Sequence, residues 1–270
     1  YATAGNLAAP MPRVGQSLQF FSKLHQQGPT AVSAAGSAPA GLYDPVFADG
    51  TDAPGVDKQI NANNPWARFV YEAVNRYKPG GTLAQARGWA NDKGVRHWEI
   101  WNEEDYTGFW IGTAAEYARL LKVAYLAARH ADPQAKIIVG GISNINPNNT
   151  WLKDTLDVIN TYPDKDVNGW FFDSVAEHNY VRSWNTFNYL YRAWSTLNTY
   201  SITNKSLWVT ESNIWSCDDG PTYSALITPP CFHEDGSPVE LRANLEEQAA
   251  FVIQSATYAT WINSVMPVEA

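Results

Sequence analysis

The sequence HWEIWNE, residues 97–103, has the length and aromatic, β-branched content of a buried β-strand, and it ends in a carboxylate. Similar apolar runs follow it at intervals of 33 to 39 residues, with helix-like segments between them. This alternation is typical of βα units, whose parallel strands form one sheet. The predicted strands are TAVSAA (30–35), HWEIWNE (97–103), KIIVGG (136–141), SVAEHNY (174–180) and LWVTESN (207–213).

The helices between these strands have recognisable ends. Asn64 is a helix cap followed by Pro65 at the first helical position. Thr113 and Glu116 form a capping box, and the helix that follows them ends before Pro133. Further helices are predicted at 13–27, 151–161, 184–200 and 244–263.

The near-regular strand spacing predicts an α/β fold of the (β/α)8 TIM-barrel type, although an open doubly wound sheet would give the same spacing. A complete barrel needs about 250 residues, yet five strands and their connections occupy almost all of the 270 residues here. We therefore expect residues 1–270 to form a single, truncated barrel domain that lacks the first two units and most of the eighth. Its unpaired strand edges predict a homo-oligomer that covers them.

Composition limits the partners of the protein. A net charge of -8 disfavours nucleic acid and anionic membranes, because both would repel the chain. No apolar run approaches the roughly 18 residues of a membrane span. The 12 Trp and 14 Tyr supply flat rings that suit sugar faces. The expected partner is an oligo- or polysaccharide.

The cysteines and histidines indicate the compartment and the cofactor requirement. Cys217 and Cys231 lie 14 positions apart, a spacing that could close a disulfide loop or leave two free thiols. The disulfide would make the protein secreted or extracytoplasmic. His97, His130 and His233 lack the spacing of metal ligands, so neither a metal nor another cofactor is expected.

Two carboxylates end predicted strands, where the loops of a barrel open into the active site. Strand alternation places Glu99, Trp101 and Glu103 on one face of their strand, and Glu99 is expected to pair with a cation such as Arg96 or Arg182. The same count aligns three residues of the last strand and four of the strand before it. These are Leu207, Val209 and Glu211, and Ser174, Ala176, His178 and Tyr180.

Two carboxyls that converge on one space suggest glycoside hydrolysis, with one as proton donor and the other as nucleophile. A separation of about 5 to 5.5 Å predicts retention of configuration, and roughly 6.5 to 9.5 Å predicts inversion.

The motifs WEIWNE (98–103) and WVTES (208–212) resemble the two signature strand ends of clan A retaining glycoside hydrolases. FWIGTAAEYARLL (109–121) and DPQAKIIVGG (132–141) are similar to the family thirty-nine branch, which includes xylosidases and iduronidases. The resemblance implies a (β/α)8 barrel with two catalytic glutamates after its fourth and seventh strands. It implies that Glu103 is the acid/base, Glu211 the nucleophile, and Asn102, His178 and Tyr180 substrate-binding neighbours.

Trp110 and Trp215 follow strand ends, where each would stack on a sugar ring or pack within its loop. The sequence thus predicts a glycosidase that retains configuration and cleaves a β-glycosidic bond in a plant or microbial glycan. Truncation of the barrel would weaken or abolish its activity. The alternative is a noncatalytic carbohydrate-binding or interaction protein on a degenerate, incomplete barrel.

Overall fold

The computed structural model describes residues 37–90, 93–144, 146, 148–180, 182–216 and 242–265. Four parallel strands form one sheet in the order β1-β2-β3-β4, and helices connect β1 to β2, β2 to β3 and β3 to β4. The strand predicted at 30–35 and the helix predicted at 13–27 lie outside the described residues. The strands are β1 His97–Asn102, β2 Lys136–Ile142, β3 Ser174–Asn179, β4 Ser206–Ser212, β5 Trp215–Ser216 and β6 Arg242–Ala243, the last two forming a small second sheet.

Five of the six described α-helices begin within one residue of a predicted start, and the short helix at Thr82–Ala86 was not predicted. The six are α1 Pro65–Tyr77, α2 Thr82–Ala86, α3 Ala114–Ala131, α4 Trp151–Ile159, α5 Asn185–Thr199 and α6 Leu245–Val265. The Asn64 side chain accepts a hydrogen bond from the Ala67 N–H at the start of α1, and Thr113 and Glu116 form both bonds of a capping box. None of the described helices is long and apolar enough to cross a membrane.

The main core lies between the sheet and helices α1, α3 and α4. The indole N–H of Trp66 in α1 donates to the Leu120 carbonyl of α3 over 3.0 Å, which fixes these two helices against each other. Trp98 and Ile100 of β1 and Val139 of β2 are buried in the same cluster. Burial on both faces is expected of a parallel sheet covered by helices.

Strand alternation breaks down at the carboxyl end of β1. Trp101 has φ of 76° and Glu103 has φ of 49°, a left-handed conformation that non-glycine residues rarely adopt. The Trp101 ring contacts Trp66 and Trp110 among the helices. The prediction that Trp101 shares a face with Glu99 and Glu103 is therefore wrong, because the backbone turns Trp101 away.

A register shift changes the prediction for β4 as well. Glu177 pairs with Val209 and His178 with Glu211, so Thr210 is an extra residue between the two pairs. Leu207 and Val209 pack beside Leu190 and Ile262, which belong to helices α5 and α6. The predicted alignment of Leu207 and Val209 with Glu211 is wrong, since the bulge places Glu211 on the opposite side from these two residues.

The sheet curls strongly enough for its two outermost strands to touch. The rings of His97 in β1 and Trp208 in β4 lie 5.0 Å apart. One layer higher, the Thr210 hydroxyl donates to Glu99 Oε1 over 2.9 Å. Within the described residues β1 and β4 share no backbone ladder, so these side chains fill the hollow between them.

Candidate active site

The carboxyl ends of three strands bring four of the sequence-predicted residues together. Glu103 follows β1, His178 lies in β3, Tyr180 follows β3, and Glu211 lies near the end of β4. Parallel strands direct their carboxyl ends to one edge of the sheet, which explains how residues so distant in sequence meet.

His178 lies between the two glutamates. Its Nδ1 is 2.9 Å from Glu103 Oε1 and 3.6 Å from Glu211 Oε2. The Tyr180 hydroxyl donates to Glu211 Oε2 over 2.7 Å. One oxygen of each glutamate and one nitrogen of His178 all lie within 4.8 Å of one another. The two carboxylates are therefore close enough to act on a single bond.

The glutamates are accessible, but the histidine is not. The side chains of Glu103 and Glu211 are 13% and 24% exposed, whereas His178 is fully buried. The imidazole lies directly against Gly141, where a Cβ atom would come within 1.9 Å of His178 Nε2. Gly141 thus provides the space that the ring occupies.

Charge around His178 favours its protonated form. Burial alone lowers the pKa of the imidazole, but the hydrogen bond to Glu103 and the negative charge of Glu211 raise it above its ordinary value. Burial and the hydrogen bond to Glu211 both raise the pKa of the Tyr180 hydroxyl. Tyr180 consequently remains a neutral hydrogen-bond donor across the working pH range of most enzymes.

The spacing of Glu103, His178 and Glu211 would also suit a metal ion. The 2.9 Å distance between His178 and Glu103 is, however, that of an ordinary hydrogen bond, which forms without a metal ion. The three side chains and Tyr180 form a polar cluster with two hydrogen bonds, one between His178 and Glu103 and the other from Tyr180 to Glu211.

Asn102 and Glu99 lie next to this cluster on β1. Asn102 is 8% exposed, and its Oδ1 has no hydrogen-bond partner among the described residues. Burial raises the pKa of Glu99 to about 7, opposed by nearby His178 and by the hydrogen bond from Thr210. The expectation that Glu99 pairs with Arg96 or Arg182 is wrong, because among the described residues Arg96 binds Asp132 and Arg182 lies over the Trp184 ring.

The two aromatic residues predicted to bind sugar, Trp110 and Trp215, have different outcomes. Trp110 is 2% exposed and its ring packs against Trp101 and Tyr117, so it is a core residue and cannot stack on a sugar in this conformation. The backbone of Trp215 lies in β5, but its side chain is outside the described part of the chain, as are Cys217 and Cys231. Tyr106 and Phe109, which also follow β1, are about two-fifths exposed.

Sequence reasoning missed two residues that shape the site. Gly141 makes room for His178, and Thr210 links β4 to Glu99. The paired glycines that end the strand KIIVGG were a signal for close approach of another group. The role of Thr210 depends on the β4 bulge, which strand alternation does not predict.

No protein-family model and no curated protein matches the chain. Among solved structures, the α-L-arabinofuranosidase from Thermotoga maritima aligns with a TM-score of 0.50 and 16% identity, over 77% of this chain and 41% of that one. The fold is a partial (β/α)8 barrel. A glucosidase from Croceicoccus marinus aligns with a TM-score of 0.44 and 16% identity, over 72% of this chain and 46% of that one.

The chain therefore spans less than half the length of these two glycosidases. At such identities the likeness concerns the fold, and the alignment with the Thermotoga maritima protein carries it. The barrel agrees with the resemblance to clan A glycoside hydrolases. The family thirty-nine branch stays a prediction.

Proposed function

We propose that the protein is a retaining glycoside hydrolase that cleaves a β-glycosidic bond through two glutamates. The observation that carries this proposal is the contact of Glu103 and Glu211 with one histidine, with an oxygen of each within 4.8 Å of the other. An inverting enzyme holds its carboxyl groups roughly 6.5–9.5 Å apart to admit a water molecule between them. Two oxygens within 4.8 Å of each other are compatible with the carboxyl separation of about 5–5.5 Å that allows direct attack on the sugar.

In the first half-reaction, Glu103 in its acid form protonates the glycosidic oxygen while a Glu211 oxygen attacks the anomeric carbon. The bond to the leaving group breaks, and a glycosyl ester of Glu211 forms. In the second half-reaction, the Glu103 carboxylate removes a proton from water, whose oxygen attacks the anomeric carbon and releases Glu211. The net reaction consumes one water, and both glutamates return to their initial states.

The neighbouring groups fit these roles. The Tyr180 hydroxyl orients Glu211 through its 2.7 Å hydrogen bond. His178 orients Glu103 through their 2.9 Å hydrogen bond, and its positive charge when protonated favours the carboxylate forms, which are those of the nucleophile Glu211 and of Glu103 in the second half-reaction. Asn102 has a buried Oδ1 available to accept a hydrogen bond from a sugar hydroxyl.

For the substrate we propose a plant or microbial glycan or its oligosaccharides. Tyr106 and Phe109 in the loop after β1 and Trp184 after β3 are partly exposed aromatic residues on loops at the same end of the sheet. Such rings bind sugar faces through stacking. We also propose secretion and a homo-oligomer in which a second copy covers the edges of β1 and β4 that no described strand pairs with.

The competing function is that of a noncatalytic carbohydrate-binding protein. It is favoured by one observation, namely that the partly exposed rings of Tyr106, Phe109 and Trp184 lie at the same end of the sheet, where they would bind a sugar without hydrolysing it.

Hydrolysis of a panel of aryl β-glycosides separates the two functions. We expect turnover by the wild type and its loss in Glu211→Ala, with the double variant Glu103→Gln/Glu211→Ala as the background. A 2-deoxy-2-fluoro glycoside should add one sugar mass to Glu211, which mass spectrometry of peptides will locate. The enzyme proposal fails if no glycoside is turned over above the double variant, and sugar binding in calorimetry would then support the noncatalytic alternative.

A further inference from the structure

Glu99 is a buried carboxyl to which the reaction assigns no chemical step. It is 1% exposed and lies four residues before Glu103, within β1. Its Oε1 accepts the Thr210 hydroxyl over 2.9 Å, and Thr210 immediately precedes Glu211. A single hydrogen bond thus joins the two strands that carry the catalytic pair, one layer beneath it.

No backbone ladder holds these two strands together in the described part of the sheet, where β2 and β3 separate them. Their spacing at this level is set by side chains in the hollow. Below Glu99 and Thr210, the tilted rings of His97 and Trp208 contact each other across the same span. The bulge at Thr210 is what directs its hydroxyl towards Glu99 while Glu211 still reaches His178.

Glu99 and His178 lie near enough for the charge of each to act on the other. Glu99 Oε2 and His178 Nε2 both lack a hydrogen-bond partner among the described residues. Both groups lie beside Gly141, whose N–H favours the Glu99 carboxylate and whose Cα the imidazole covers. Buried polar atoms without partners are uncommon in folded proteins, and catalytic sites are among the places where they persist.

We propose that Glu99 is a positioning residue for the reaction proposed above, on which this inference rests. Its bond to Thr210 fixes the span between β1 and β4. Its carboxyl beneath His178 keeps the imidazole between Glu103 and Glu211. Glu99 touches no substrate in this role and acts through Thr210 and His178.

The Thr210 bond is tested with Thr210→Val, which keeps the shape of the side chain and removes the hydroxyl. We expect kcat to fall about 10-fold or more, because sub-ångström misplacement of reacting groups is costly, with little change in KM. Thr210→Ser should restore most of kcat. The matched control is Ser174→Ala, which removes the 2.6 Å hydroxyl contact between Ser174 and Ser206 at the opposite end of β3 and β4 and should leave kcat unchanged.

The effect of Glu99 on the pKa of His178 is tested by a measurement that needs no turnover. This is an NMR pH titration of 15N-labelled histidine in the wild type and in Glu99→Gln. The His178 signal is assigned as the one missing from His178→Asn. The charged groups that face this ring are Glu103, Glu211 and Glu99. Removal of the Glu99 charge should lower the pKa of His178, since that charge raises it.

The two measurements separate the inference from the proposed function. If the folded Thr210→Val protein retains the wild-type kcat, or if the His178 titration is the same in Glu99→Gln, the positioning role is wrong. If the wild type hydrolyses no glycoside, the proposed function fails, and the NMR titration still shows whether Glu99 acts on His178.

Discussion

The glutamates at the active site and those on the helix-covered face of the curled sheet differ in their access to solvent. On the inner face, Glu103 and Glu211 share a histidine and retain contact with solvent. On the helix-covered face, Glu104 and Glu177 are 1% and 3% exposed, and burial raises the pKa of each. Glu103 and Glu211 are suited to chemistry because they have polar partners and also reach solvent. A carboxyl that is buried away from solvent is held in its neutral form.

Substitutions of the adjacent residues Glu103 and Glu104 should show the largest difference in kcat/KM between the two faces. Glu103→Gln should lower kcat/KM about 10²- to 10⁴-fold, the usual contribution of a general acid, when the leaving group is a poor one. Glu104→Gln should leave kcat/KM close to the wild-type value, because Glu104 lies against Gly140 and near Tyr117 of α3, outside the cluster. Steady-state kinetics of both variants checks this. Equal losses in the two would contradict the assignment of the faces.

Glu177 should make the protein less stable as the pH rises. Burial raises its pKa to about 8, opposed by a hydrogen bond from Asn144 and by the charge of Arg192. Between about pH 4.5 and 8 the native state therefore holds a proton that the unfolded state releases, so the free energy of unfolding falls by up to about 1.4 kcal/mol per pH unit. Glu177→Gln should make this slope shallower in urea denaturation curves measured from pH 5 to 9, while the buried carboxyls of Glu99 and Glu104 keep their own contributions to it.

The exposed pair Lys153 and Asp157 supplies the control for that experiment. Asp157→Asn changes a surface charge by the same amount and should leave the slope between pH 5 and 8 unchanged. An unchanged slope in Glu177→Gln would mean that Glu177 is ionised in the native protein.

Of the paired glycines at the end of β2, Gly141 contacts the active-site face and Gly140 contacts the helix-covered face. A Cβ at Gly141 would lie 1.9 Å from His178 Nε2, and one at Gly140 would lie 2.4 Å from Glu104 Oε2. Both alanine variants should lose about 1–3 kcal/mol of stability through overpacking. Only Gly141→Ala should also lower kcat in the folded protein, because it displaces the histidine. Denaturation curves and kinetics on the same samples separate the two effects, and an equal loss of kcat in Gly140→Ala would contradict this division.

The sequence predicted the carboxylate pair and several helix ends because these depend on local signals. Asn64 before Pro65, the Thr113 capping box and the strand-end positions of Glu103 and Glu211 are all readable from short stretches. Strand alternation failed where the backbone departs from regular geometry. The left-handed residue Trp101 and the bulge at Thr210 are stabilised by tertiary packing across the sheet, which no local pattern encodes.

The same limit explains the error at Trp110. Its position after a strand end suggested a sugar platform, but the turn at Trp101 brings that indole beside it, and the two rings pack edge to face at 5.1 Å. The direction of the Trp101 side chain thus accounts for the burial of Trp110, nine positions later. Residues after an irregular strand end are for this reason the least predictable part of such a site.

Tyr180 should show the smallest effect, because it assists Glu211 without taking part in proton transfer. Tyr180→Phe removes a hydrogen bond to a carboxylate, which is worth about 1.5–3 kcal/mol, so kcat should fall by about 10- to 150-fold. The control Tyr191→Phe changes a half-exposed ring on α5 and should leave kcat unaltered. Because the Tyr180 pKa is raised, its hydroxyl stays protonated in the wild type, and the variant should lower the whole pH-rate profile without moving its alkaline limb. A shifted alkaline limb would instead identify Tyr180 as a titrating group, and the division of the site into proton-transfer and orienting residues would then be wrong.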